Sequence, residues 1–288
     1  MDMNGPGTSA WDVTIKPQQA WWRPDLKEFW HYRDLLMLLV RRDLTAQYKQ
    51  TILGPAWLVA QPLLTPITYT VMFGLVARLA PAGIPAMLFY LSGIVPWTCF
   101  SGVVNKTSRT FVTNSAVLTK VYFPRLIMPV STTLSTLFSF LVQLGLLFLI
   151  IAIYALFMGF QWSPSPLLVL LPVVILVMSL LGLGAGILIS AMTTKYRDLG
   201  FLVAFGVQLL MFASPVIFPM EIVAKNATML AVLQLNPMTG VIVAFRTLLF
   251  GGVVDWGGLG YSAAFAVGLV LVGLALFQRV ERSFADVV

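Results

Sequence analysis

The chain has 288 residues, of which 59% are hydrophobic and only 10% charged; soluble domains are about a quarter charged, so the balance excludes an ordinary soluble domain. A single cysteine, Cys99, excludes an intrachain disulfide and a multi-cysteine metal site, and His31 is the sole histidine. The net charge is +7, but the basic residues are distributed between apolar runs, which is a pattern of membrane topology and not of nucleic-acid binding.

Residues 1–28 are polar, carry Trp11, Pro17 and Pro24, and lack the apolar core of a cleavable signal peptide. Residues 29–52 are amphipathic. Phe29, Tyr32, Leu36, Leu39, Val40, Leu44 and Tyr48 share one helical face, with Arg33, Asp34, Arg41, Arg42, Gln47 and Lys49 mostly elsewhere. This pattern predicts a helix lying in the membrane interface.

The spans follow as charge-free stretches. Gln50 to Ala77 is 28 residues without a charge, and Leu79 to Asn105 is 27. Leu126 to Thr194 is 69, far beyond the about 20 residues that one helix needs to cross, so it must be a hairpin. Its turn falls at Gly159–Pro166, where prolines and polar residues break the apolar pattern. Two further runs, Leu199–Met220 and Trp256–Gln278, complete six predicted helices near 55–77, 86–104, 126–157, 167–192, 199–218 and 259–278. Before the last span, Met229–Phe250 is too apolar for a solvated loop and is broken at Asn236-Pro237. It reads as two short helices of a re-entrant hairpin within 219–258.

The expected architecture is therefore an all-α, polytopic integral membrane protein. Residues 1–53 form a cytoplasmic segment with the interface helix, 54–278 a domain of six transmembrane helices, and 279–288 a cytoplasmic tail. Orientation comes from the basic residues. Fifteen lie in 1–53, 105–125, 193–198 and the tail; only Arg78, Lys225 and Arg246 lie on the other side. The positive-inside rule then predicts both termini in the cytoplasm.

Catalytic chemistry is not encoded in any recognisable set. Gly182-Leu183-Gly184-Ala185-Gly186 lacks the Lys-Ser/Thr of a phosphate-binding loop and sits inside a span, where glycines serve close helix packing. No Asp, Glu or His falls mid-span, so a proton relay has no carrier. Energy must come from elsewhere, or the protein is a passive pore. No metal site is expected, and His31 reads as an interfacial side chain.

Three helical stripes carry polar side chains. Trp57, Gln61, Thr65, Thr68 and Met72 recur at helical spacing in the first span, with Tyr69 beside them. Phe201, Phe205, Gln208, Phe212 and Pro215 do so in the fifth, and Thr132, Thr136, Ser139 and Gln143 in the third. The third is read as helix packing. In the first and fifth, aromatic rings mixed with amides suit a sugar pathway as well as they suit packing, since rings meet the C–H faces of pyranoses and amides exchange hydrogen bonds with hydroxyls.

Several strings together resemble the permease family of ABC exporters for O-antigen, capsule and teichoic-acid polymers. They include Tyr32-Arg33-Asp34-Leu35-Leu36, Arg42-Asp43-Leu44, Tyr48 through Trp57, Gln61-Pro62, Val121-Tyr122-Phe123-Pro124-Arg125, Lys195-Tyr196-Arg197-Asp198-Leu199, Ser214-Pro215-Val216, Leu235-Asn236-Pro237-Met238 and Glu281 through Asp286. Their order covers nearly the whole chain. The resemblance implies a homodimer with two copies of a separate ATPase, which would bind ATP and Mg while this chain binds no cofactor. It implies a lipid-linked glycan as substrate, export across a bacterial inner membrane, and a conduit lined by the first and fifth spans: Trp57, Gln61, Thr65, Tyr69, Phe201, Phe205, Gln208 and Phe212. ATPase motion would enter through Arg42, Asp43, Lys106, Arg109, Lys195, Tyr196, Arg197 and Asp198, and the interface helix would contact the ATPase and lipid headgroups. An ABC exporter of drugs or lipids is the alternative within transport. A membrane-embedded glycosyl- or acyltransferase would need a clustered acid, histidine or metal site that the sequence lacks, and a passive channel would need no cytoplasmic partner.

Overall fold

In hydrocarbon every backbone N–H and C=O must be satisfied within the protein, so long charge-free runs have helix as their natural state. The computed structural model describes residues 30–49, 54–81, 83–114, 123–193 and 198–283, and among these it is helical without a strand. The helices are α1 (Arg33–Tyr48), α2 (Trp57–Tyr69), α3 (Ala86–Ser108), a one-turn α4 (Thr110–Thr113), α5 (Ile127–Phe157), α6 (Leu171–Thr193) and α7 (Leu199–Phe212). They continue as a short α8 (Met220–Val223), then α9 (Ala227–Leu235), α10 (Pro237–Phe250) and α11 (Trp256–Ser283).

Four helices are long and apolar enough to cross a membrane: Ala86–Ser108, Ile127–Phe157, Pro166–Thr193 and Trp256–Arg279. The pair α9 and α10 passes the same test jointly but is bent by 95° at its break, which gives up to five. Two of the six expected spans are thus shorter than their charge-free runs. In α2, Pro62 and Pro66 lie inside the helix, and beyond Tyr69 it continues as a π-helical stretch over Thr70–Val76. Proline supplies no amide donor, and a π-turn is one way for a helix to absorb the resulting gap. The stretch is followed by Arg78 at φ 52°, a left-handed residue. Helix α7 ends at Phe212, so at about 1.5 Å per residue it covers about 21 Å against the about 30 Å of hydrocarbon.

Helix α3 is the hub. It packs on α2, α5, α6 and α10, and α6 and α10 both pack on α11. Side chains of α3 from Leu88 to Val104 form one core with Phe140, Leu144, Leu147, Met178, Leu181, Phe245 and Leu249, among others. The helices approach closely where glycines leave room. A methyl group added at Gly182 would lie 2.9 Å from Val103, one at Gly186 2.6 Å from Thr107, and one at Gly184 2.8 Å from the Val270 amide. The glycine run of α6 therefore serves two interfaces, one with α3 and one with α11.

The turn between α5 and α6 opens at Gly159, with φ 68°. It is tied to the end of α10: Trp162 Nε1 donates to Leu249 O at 2.7 Å and the Ser165 amide donates to Leu248 O at 3.1 Å. Helix α1 lies within the 29–52 segment, and Tyr32, Leu35, Leu36 and Leu39 pack against Phe123, Ile127 and Met128 at the start of α5. Much of its apolar face is thus covered by protein, while Met37 and Leu38 remain exposed.

Candidate conduit and coupling surface

The first-span stripe stands on the open side of α2. Trp57, Gln61, Thr65, Thr68 and Met72 are all exposed, whereas the opposite side of the helix meets α3 and α5. Tyr69 departs from this line. It is partly buried, with its ring 5.3 Å from Phe73 and 6.4 Å from Tyr90, both edge-on. It packs towards the core and the stripe passes it by.

Helix α7 is barer still. Phe201, Phe205, Gln208 and Phe212 are exposed, as are Leu202, Gly206 and Leu209. Of its fourteen residues only Gly200 and Met211 are buried. Exposure therefore covers half the helix circumference and does not separate the aromatic residues from their aliphatic neighbours.

The third stripe behaves as packing. Thr132, Thr136 and Ser139 are buried, and their hydroxyls donate to the carbonyls of Met128, Thr132 and Ser135 one turn back. Gln143 Oε1 accepts from Thr98 Oγ1 of α3 at 3.0 Å. The three hydroxyls spend their donors within α5 and are shut off from solvent, and only the Thr98–Gln143 bond joins α5 to α3.

The residues expected to couple to an ATPase fall into two groups. Arg42 bonds Asp43 Oδ1 at 2.8 Å and Asn114 Oδ1 at 2.9 Å, and Asn114 Nδ2 donates to Thr110 O at 2.9 Å. These contacts fasten α1 to the segment after α3. Lys106, in the last turn of α3, is exposed. Arg109 turns inward: Nη2 donates to Gly200 O, and the guanidinium lies 5.4 Å from the Phe201 ring centroid. Asp198 is exposed ahead of α7. Lys195, Tyr196 and Arg197 lie outside the described residues.

One residue that the sequence only counts among the outer-side charges is an internal tie. Arg246 of α10 is partly buried. It donates to Phe89 O at 3.2 Å, to Val216 O at 2.8 Å, to Pro215 O and to Ser92 Oγ at 3.3 Å, and lies 3.8 Å from the Phe89 ring centroid. The signal was an arginine within an otherwise apolar run, which has to find acceptors inside the protein. Nearby, Asn236 caps α10 by accepting from the Met238 amide at 3.0 Å, and donates to Ala213 O at 2.9 Å and Ser214 Oγ at 2.7 Å. No cluster of three or more metal-ligating side chains occurs among the described residues.

Comparison with known proteins agrees with this architecture. The chain is 25% identical over 255 residues to the O-antigen export system permease protein RfbA of Klebsiella pneumoniae, covering 88% of this chain and 95% of that protein. It is 29% identical over 262 residues to the O-antigen export system permease protein RfbA of Myxococcus xanthus, covering 91% and 98%. Against the polysialic acid transport protein KpsM of Escherichia coli it is 22% identical over 252 residues, covering 85% and 93%. The profile of the ABC-2 type transporter family matches residues 34–250, a region that runs from the first turn of α1 to the end of α10 and contains both bare faces and both inward arginines. The chain is a multi-pass membrane protein of the ABC-2 type transporter family, a transport component and not an enzyme.

Proposed function

We propose that this chain is the membrane-spanning half of an ATP-driven exporter of a lipid-linked polysaccharide, working as a homodimer with two copies of an ABC ATPase in a bacterial inner membrane. The ATPase would hold ATP and Mg. Two faces left exposed among the described residues carry the reading: Trp57, Gln61 and Thr65 on α2, and Phe201, Phe205, Gln208 and Phe212 on α7. Relatives with near-complete coverage bear the names of O-antigen export and polysialic acid transport proteins, which supports a glycan as cargo. A hydrated polymer cannot cross hydrocarbon bare, because each hydroxyl stripped of its partners costs several kcal/mol. Rings that let a sugar slide, alternating with amides that exchange hydrogen bonds, meet that requirement at low binding energy for each unit.

In this reading α2 with its π-helical extension and α7 are the first and fifth of six spans, α1 lies at the cytoplasmic interface, and α9 with α10 is a re-entrant hairpin at the outer side. Both termini are cytoplasmic. Proteoliposomes containing this chain and its ATPase test the function. Lipid-linked glycan should be translocated only when ATP is supplied, and the chain reconstituted alone should move none. Glycan movement driven by a proton gradient without the ATPase would refute the assignment.

A further inference from the structure

Helix α7 is an unusual member of this bundle. It is bare along one side, and its two buried residues stand near its two ends: Gly200 in the first turn and Met211 in the last. Each end is also held by an arginine from another helix. At the first, Arg109 follows α3 directly and donates through Nη2 to Gly200 O. At the last, Arg246 of α10 donates to Pro215 O and, at 2.8 Å, to Val216 O, just past the helix. Asn236 at the α9–α10 bend adds donors to Ala213 O and Ser214 Oγ there.

The sequence leaves room for both guanidinium groups by placing glycine beneath them. A methyl group at Gly200 would sit 2.9 Å from Arg109 Nε, and one at Gly93 would collide with Arg246 Nη2 and lie 2.9 Å from Val216 O. Neither arginine has a carboxylate within 4 Å among the described residues. Arg246 is satisfied by three backbone carbonyls and the Ser92 hydroxyl, whereas Arg109 has the Gly200 carbonyl and a buried Nε without a partner among the described residues; the carbonyls are fixed to the chain path. A cation removed from water and held by carbonyls is costly to leave unpartnered, and hydrogen bonds to a charged donor are about twice as strong as neutral ones. The carbonyls therefore move with their arginine or the bonds break.

We propose that Arg109 and Arg246 are positioning residues that make α7 a tie-rod: displacement of the segment after α3 is carried along α7 to the bent α9–α10 pair. The two sites stand at opposite ends of one helix that is bare on its outer side and rests with Val203, Val207, Leu210 and Met211 against α3 and α6 on the other, so the rod moves along that seam as a unit. The coupling is reciprocal, and displacement of the α9–α10 pair acts back on the segment that contains Arg109. Arginine is required at position 246 because its planar, rigid fork spans three carbonyls and a hydroxyl, and at position 109 because the same flat group bonds Gly200 O while lying against the Phe201 ring; the compact ammonium of lysine reproduces neither fit.

The inference rests on the ATPase-driven reading above, and the test separates the two. Hydrogen–deuterium exchange is followed by mass spectrometry on the assembled exporter in nanodiscs, with and without ATP. Peptides covering 199–212 and 219–236 are compared. In the unmodified complex ATP should change exchange in both. In Arg246→Lys the change at 199–212 should persist and the change at 219–236 should be lost; in Arg109→Lys the change at 219–236 should also be lost. Gly93→Ala and Gly200→Ala, which displace the guanidinium groups without removing them, should behave like the corresponding arginine variants. A merely structural role would shift baseline exchange in these variants but leave the ATP-dependent difference intact. An ATP response at 219–236 that survives in both arginine variants overturns the tie, as does a response confined to 199–212 in the unmodified complex. Absence of any response at 199–212 in the unmodified complex overturns the tie, and ATP-dependent translocation by the same complex decides the ATPase-driven reading independently.

Discussion

At the scale of single residues, glycine decides how close the central helices come. Gly186 and Gly145 are both helical, yet they differ in what surrounds them. A methyl group at Gly186 would stand 2.6 Å from Thr107, whereas one at Gly145 would meet nothing within 4 Å. Alanine at either site gains about 0.5–1 kcal/mol of helix preference over glycine. At Gly186 that gain is outweighed by overpacking, which costs about 1–3 kcal/mol. Gly186→Ala should lower the thermal unfolding midpoint of the solubilised protein and Gly145→Ala should leave it unchanged or raise it. Equal midpoints would mean that the α3–α6 seam has slack. That glycines 182 and 186 serve packing was legible in the sequence, because no phosphate-loop Lys-Ser/Thr follows them. The second partner, α11 against Gly184, was not legible, since a one-dimensional pattern does not say which helix lies on which side.

At the scale of elements, α1 shows how a helical periodicity leaves its environment open. The stripe of Tyr32, Leu36 and Leu39 predicts an amphipathic helix, but amphipathicity alone fits a lipid surface and a protein surface equally well. The fold covers part of the stripe with Phe123, Ile127 and Met128. Leu39 is 4% exposed and Met37 61% exposed on the same helix. Truncating a buried leucine costs about 2–5 kcal/mol, enough to release a short helix held by so small a cluster. Leu39→Ala should therefore speed tryptic cleavage at Arg41 and Arg42, while Met37→Ala should cleave at the parent rate. Identical rates for the two variants would show that membrane contact, not α5, holds α1. In the same way the proline pair in α2 is visible in the sequence, but the π-helical stretch that follows depends on how the chain accommodates missing amide donors among its neighbours.

At the scale of the whole molecule, the charge asymmetry makes a definite expectation of sidedness. Single cysteines are best placed where the fold leaves side chains free. Gln161, in the α5–α6 turn, and Gln47, on α1, are both exposed, whereas Ser165 in the same turn is buried. In a Cys99→Ser background, an impermeant thiol reagent applied to intact cells should label Gln161→Cys and spare Gln47→Cys. The opposite pattern would invert the topology. The expected orientation would place Lys106 and the segment that carries Arg109 on the cytoplasmic side, and the α9–α10 bend on the other.

The sequence by itself determined the helical class, the positions of the long spans, the hairpin turn and the break at Asn236-Pro237. Each of these follows from local pattern: apolar length, missing charge, and residues that cannot continue a helix. Only the tertiary structure decided which faces are covered. It turned Tyr69 towards Tyr90 and away from the open stripe of α2, left Leu202 and Leu209 as bare as the aromatic residues of α7, and placed Arg246 in a cage of carbonyls from α3 and from the chain beyond α7. The acceptors for that charge are 30 to 157 residues away in the chain. A window of sequence can register that an isolated arginine must be satisfied, but only folding brings the carbonyls that satisfy it.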